Sequence, residues 1–228
     1  MKVLNYGSLN VDYVYSVDHI IVGGETQHSS KLEVFSGGKG LNQSIALAKA
    51  GVPVYHAGIV GTDGDILLEA CKEAGVNTKY IRRLPVKGGH TMIQVDKNAQ
   101  NCIILYGGTN QMQTKEFVDE VLADFGEGDY LILQNEINML DYIIDQAYEK
   151  KMKIVMNPSP FDDKLSTCDL SKVYLFLVNE IEGEQITGCK DKDQILDAMA
   201  AKFPNARFVF TLGSDGAVYY DGKEKVFQ

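Results

Sequence analysis

Short apolar runs rich in β-branched and aromatic residues recur along the chain: KVLNYG at 2–7, VPVYHAGIV at 52–60, YLILQ at 130–134, KIVMN at 153–157, VYLFLV at 173–178 and ARFVFTLG at 206–213. Their length and composition predict buried strands. Between most of them lie segments whose apolar residues return every three to four positions: LNQSIALAKAG, DILLEACKEAG, KEFVDEVLADF, MLDYIIDQAYEKK and QILDAMAAKF. These predict amphipathic helices. Strand alternating with helix predicts an α/β fold, a doubly wound and mostly parallel sheet flanked by helices. Such sheets bind ligands beyond the carboxyl ends of their strands. The residues that follow each strand are therefore the ones to inspect.

Two stretches interrupt the alternation, residues 13–35 (YVYSVDHIIVGGETQHSSKLEVF) and 91–106 (TMIQVDKNAQNCIILY). Each reads as two strands without a crossover helix, the second turning at DKNAQN, so together they predict a small antiparallel sheet projecting from the core as a lid. The competing reading makes them edge strands of the main sheet. Residues 1–228 are expected to form one domain carrying these insertions.

Composition narrows the function classes. The 228 residues are 45% hydrophobic and 23% charged, which suits one sizeable core. With 31 acidic against 22 basic residues the net charge is -9, which argues against a nucleic-acid binder. Cys71, Cys102, Cys168 and Cys189 form no C-x-x-C pair, and His19, His28, His56 and His90 form no metal or triad spacing. The histidines are read as structural or surface groups. No apolar run approaches the roughly 18 residues that span a bilayer, and a reduced, cytoplasmic setting is expected.

The candidate chemistry sits after the strands. GSLNVD brings Asn10 and Asp12 to the end of the first strand, and a carboxylate can accept from two hydroxyls at once. Gly37-Gly38-Lys39-Gly40 opens a helix and places Asn42 in its first turn. Its spacing matches neither G-x-x-x-x-G-K-[ST] nor G-x-G-x-x-G, so neither standard phosphate loop is present. Glycines here allow close backbone approach to a ligand, or else a purely structural turn. Further along, Asn135-Glu136, Pro158-Ser159-Pro160, Asn179-Glu180-Ile181-Glu182 and Leu212-Gly213-Ser214-Asp215-Gly216 each follow a strand. Any one of them could be a helix cap. Five clusters at one sheet edge point to a site.

These pieces, GSLNVD, GGE at 23–25, SGGKGLNQ, LQNE, NPSP, VNEIEGEQITG and TLGSDG, resemble in order and spacing the ribokinase family of carbohydrate kinases, also called phosphofructokinase-B-like sugar kinases. The resemblance covers essentially the whole chain, and GGKGLNQ is close to the form in ribokinases proper. It implies an ATP- and Mg²⁺-dependent sugar kinase with D-ribose as the first substrate; other furanose-like sugars and nucleosides are the alternatives. It implies that Asn10, Asp12, Gly38, Lys39, Asn42 and Glu136 bind the sugar. Asn179 and Glu182 would act at the phosphate and Mg²⁺ end, Glu182 through water, with Thr211 and Gly213 along the ATP site. A monovalent cation such as K⁺ and a homodimer through the lid are further implications.

One expected motif does not occur. The family's Gly-Ala-Gly-Asp segment, which supplies an anion hole and the base for the sugar hydroxyl, is not found in residues 1–228. The catalytic residue is therefore expected beyond Gln228, and residues 1–228 alone are expected to turn over poorly, since an anion-hole donor is worth roughly 100- to 1,000-fold. A non-catalytic sugar-binding or regulatory relative is the alternative function. A flavodoxin-like signalling module is weaker, because no acidic phosphoacceptor cluster is evident.

Overall fold

A computed structural model of the chain describes residues 1–191 and 194–228. In chain order come β1 (Val3–Tyr6), β2 (Asn10–Ser16), β3 (Lys31–Gly37), α1 (Lys39–Lys49), β4 (Val54–Val60), α2 (Asp65–Ala74) and β5 (Asn77–Arg83). Then follow β6 (Gly89–Val95), β7 (Asn101–Tyr106), α3 (Lys115–Leu122), β8 (Tyr130–Gln134), α4 (Leu140–Glu149), β9 (Lys153–Asn157) and β10 (Leu175–Asn179). The rest is α5 (Glu180–Thr187), α6 (Ile195–Lys202), β11 (Arg207–Thr211), β12 (Ala217–Tyr220) and β13 (Lys225–Phe227). The chain divides into two compact units.

One unit takes Met1–Tyr6 and Thr114–Gln228. Its strands lie in the order β13-β12-β11-β10-β9-β8-β1, the pairs from β1 through β11 parallel and the last two antiparallel. Strands covered on both faces must be apolar throughout, and YLILQ and KIVMN bury Leu131–Leu133 and Ile154–Met156. Helix α4 docks through Leu140, Ile143, Ile144 and Ala147, an i, i+3, i+4, i+7 stripe. Helix α3 starts at Thr114, whose hydroxyl accepts from the Phe117 amide, and it buries Phe117 edge-on to Tyr6 at 6.0 Å. Truncating Phe117 to alanine should cost about 3–5 kcal/mol. The helix α5 escapes the sequence pattern, because its apolar residues form no clear stripe. Its core contact is Ile186 together with Gly183, where a Cβ would press on Ile195 and Phe210.

The other unit is Gly7–Gln113. Here β4 and β5 pair in parallel, with α1 and α2 in the same unit, and a separate four-stranded sheet runs β3-β2-β6-β7. The interrupting stretches do supply this second sheet, with two corrections. It is mixed rather than antiparallel, because β2 pairs antiparallel with β3 but parallel with β6. It also begins earlier than read: β2 starts at Asn10 and β6 at Gly89, while residues 17–30 form no strand. The turn at DKNAQN is present, with the Ala99 amide donating to Asp96 O at 3.0 Å and Ala99 at φ 61°. Strand β5, NTKYIRR, was not apparent from the pattern because it buries only Tyr80.

Candidate functional site

The glycine turn is built first, because it fixes everything near it. Gly38 caps α1 at φ 96°, a left-handed conformation that a side chain would strain, and a Cβ there would stand 2.9 Å from Ser8 O. A Cβ on Gly40 would stand 2.5 Å from Ser8 N and 2.6 Å from the Gly7 carbonyl carbon. The segment 7–8 and the start of α1 thus touch backbone to backbone. Ser8 also consumes the amides that a bare helix start would offer: Gly40 N–H donates to Ser8 Oγ at 3.2 Å and Leu41 N–H to Ser8 O at 3.0 Å. The turn has spent those two donors on its own chain, so they are not offered to an anion.

Beneath the turn, His56 is fully buried. The Gly7 carbonyl can only accept, so His56 Nε2–H donates to it at 3.3 Å, and Nδ1 accepts the Ser44 hydroxyl at 2.7 Å. Burial pushes the imidazole down to about 4, partly opposed by the Gly7 carbonyl. The structural reading of His56 holds, and its task is to join α1, β4 and Gly7.

Asn10 and Asp12 do not follow β1 directly; they lie inside β2, on the four-stranded sheet. Asn10 is only 2% exposed. Half-buried Asp12 accepts from Thr91 Oγ1 at 2.6 Å. Desolvation raises its carboxyl above the ordinary value, with the Thr91 hydroxyl acting in the opposite sense. A Cβ on Gly37 would overlap the Asp12 carboxylate, so the glycine run leaves room for an acid as well as for backbone. Lys39 is half-buried at the first position of α1, and Asn42 is exposed in its first turn. The structure therefore brings Asn10, Asp12, Gly38 and the start of α1 together within this unit.

Residues the sequence reading passed over belong to the same neighbourhood. Thr91 holds Asp12, and Asn110, 1% exposed, hydrogen-bonds Asn10 across 100 positions of sequence. Asp63 accepts from the Gly88 amide at 2.9 Å and pairs with Lys87 at 2.6 Å, and Lys87 Nζ also donates to Tyr13 OH at 3.0 Å. The signals available were polar residues flanked by glycine, GTDG at 61–64 and GGTN at 107–110. Neither carries a period, so neither stands out in a pattern search.

In the other unit, Glu136 is half-buried in the turn after β8. Its neighbour Asn135 is 4% exposed; its Nδ2 donates to Pro160 O at 2.6 Å and Asp162 Oδ1 at 2.9 Å, while its buried Oδ1 has no hydrogen-bond partner among the described residues. Asn179 and Glu182 meet as a reciprocal capping box: Glu182 N–H donates to Asn179 Oδ1 at 2.8 Å, and Asn179 N–H donates to Glu182 Oε2 at 3.0 Å. Asn157 Nδ2 reaches the same Oε2 at 3.4 Å. Thr211 lies beside Asn179 in the parallel register, exposed at the end of β11, and Gly213 follows at φ 61° with open space around it. Among the described residues no cluster of three His, Cys, Asp or Glu could hold a metal on its own, and no helix is long and apolar enough to cross a membrane.

The chain matches the family model described as pfkB family carbohydrate kinase over residues 1–228. It is 30% identical to a ribokinase of Haemophilus influenzae, covering 97% of this chain and 76% of that protein. A ribokinase of Staphylococcus aureus is 31% identical, with 99% and 74% covered. The crystal structure of a Cryptococcus neoformans ribokinase in complex with ADP superposes with a TM-score of 0.81 at 29% identity, over 100% of this chain and 78% of that one.

Proposed function

The chain belongs to the pfkB family of carbohydrate kinases, and from that premise we propose that it serves as a ribokinase, transferring the γ-phosphoryl group of ATP to D-ribose to give ribose 5-phosphate. The observation that carries the reading is the Asn10–Asp12 pair on β2, held over the Gly37–Gly40 turn by bonds that leave polar atoms of both side chains for a ligand. Asp12, as a carboxylate, accepts from sugar hydroxyls, and Asn10 supplies the complementary donor. Gly38, Lys39 and Asn42 wall the sugar.

Asn179 and Glu182 stand at the phosphate end. The capping bonds occupy Oε2 of Glu182, which leaves Oε1 to receive a water of Mg²⁺. One carboxylate plus water and phosphate oxygens is a normal Mg²⁺ shell, so these residues fit the ion without a protein cage. When bound there, Mg²⁺ would neutralise charge on the transferring phosphoryl group. Thr211 and Gly213 line the nucleotide. The sugar oxygen bonds to the γ-phosphorus, the bond to ADP breaks, and the hydroxyl proton passes to a base, the role filled in the family by the aspartate of the Gly-Ala-Gly-Asp segment.

The four-stranded sheet covers the sugar and excludes water. It also pairs with a second copy: Leu32, Val34, Met92 and Ile104 are exposed on the face opposite Asp12, an apolar surface that suits a homodimer. Calorimetry with D-ribose, followed by detection of ATP-dependent ribose 5-phosphate, tests the reading. Binding with slow, ATP-dependent product formation is expected of residues 1–228. Binding without product would favour the sugar-binding alternative, and failure to bind D-ribose would overturn the substrate assignment.

A further inference from the structure

Asn110, in the tight turn Gly108–Gln111, has no place in the reading above, yet its bonds dictate which end of Asn10 faces a ligand. The Leu9 backbone N–H can only donate, so the Asn110 atom it reaches at 3.0 Å is the carbonyl oxygen Oδ1. The other end of Asn110 is therefore Nδ2, which donates to Leu9 O at 3.4 Å and to Asn10 at 2.7 Å. The Asn10 atom that accepts must be Oδ1. Nδ2 of Asn10 is left as the outward end, and no partner for it is recorded among the described residues.

The packing leaves this arrangement no slack. Both asparagines are nearly sealed from water, at 2% and 1% exposure. On the paired strand β6, Gly89 sits opposite Asn10, and a Cβ there would overlap Asn110 Nδ2 and stand 2.5 Å from Asn10 Oδ1. The position is glycine because the amide-to-amide bond fills the space.

We propose that Asn110 is a positioning residue that locks the polarity of Asn10, so that Asn10 offers the sugar two N–H donors and never its carbonyl. The proposal rests on Asn10 contacting the sugar, as assigned above. It adds a specificity rule. With Asp12 as acceptor and Asn10 as donor, the oxygen facing Asn10 must accept, as a hydroxyl or ring oxygen does; an ammonium group at that place on an amino sugar meets two N–H groups and is refused.

The test is Asn110→Asp, a near-isosteric change. Its carboxylate still accepts from Leu9 N–H but offers Asn10 an acceptor, which turns the Asn10 amide over and aims its carbonyl at the sugar. The expected result is at least a tenfold loss of D-ribose affinity by calorimetry, with the side-chain N–H₂ resonances of Asn10, assigned by their loss in Asn10→Ser, no longer moving on ribose addition. Unchanged affinity in a folded Asn110→Asp protein overturns the proposal while leaving the sugar reading intact. Failure of the wild-type chain to bind ribose overturns both. Should the variant not fold, the wild-type titration decides: Asn10 N–H₂ resonances that shift with ribose support the donor orientation, and resonances that stay fixed refute it.

Discussion

The two units hold their candidate ligand groups in different ways. In Gly7–Gln113 the groups proposed to face the sugar are held by other side chains from distant sequence: Asn110 on Asn10, Thr91 on Asp12, His56 under the turn. In the other unit Asn179 and Glu182 hold each other, three residues apart, through a helix cap. The first arrangement fixes the direction of individual atoms. The second fixes a helix start and leaves one oxygen of Glu182 outside the cap. Under the proposed function the difference has a reason: hydroxyls are distinguished by the direction of their bonds, whereas phosphate and Mg²⁺ are recognised mainly by charge.

The comparison is broken most severely at the glycine turn. Gly40→Ala would force backbone apart at Gly7 and Ser8, and we expect a loss of about 2–3 kcal/mol in unfolding free energy together with lost ribose binding. Chemical denaturation checks the first, and a stability equal to the parent's would show that the turn can give way.

Acid comes next and acts through His56. Its pKa is depressed from 6.5 to about 4 in the folded chain, so between those values the unfolded chain binds the extra proton. The stability is complete above pH 6.5 and is lost as pH falls toward 4, by about 3 kcal/mol in all. His56→Gln should flatten that part of the stability-against-pH curve; an unaltered slope would assign it to other groups.

A smaller effect is expected at Asp12. Its replacement by alanine should weaken ribose binding by about 1–3 kcal/mol, the cost of leaving hydroxyls unpaired, with little change in nucleotide affinity. Unchanged calorimetric affinity would remove Asp12 from the site. The mildest change sharpens the contrast from the other side: Glu182→Gln retains a cap, so stability should move by no more than about 1 kcal/mol. Turnover should fall more than ribose affinity, and an equal fall in both would contradict a role at the phosphate end.

The main strands and five helices were legible because their burial repeats with the period of the backbone. Strand β5 escaped because it is polar at most positions, and α5 because a glycine and one isoleucine, rather than a stripe, make its contact. Of the candidate site, the sequence marked only the layer proposed to face the ligand. Asn10, Asp12 and the glycine turn carry short-range signals, whereas Asn110 and Thr91 act from 100 and 79 residues away and carry no periodic local signature. The same limit explains the strand order: nothing in NVDYVYS announces that it will pair in parallel with GHTMIQV.

Strand β7 has a consequence for how the protein must be handled. NCIILY forms the outer edge of its sheet, all six residues exposed, with no charge and no proline among them. Unpaired edges of that composition template the addition of further strands. The charge of -9 keeps molecules apart near neutrality. Acidification removes that repulsion over the range in which His56 loosens the fold, so the chain should pass from solution into fibrous aggregate on mild acidification, with β7 as the seed.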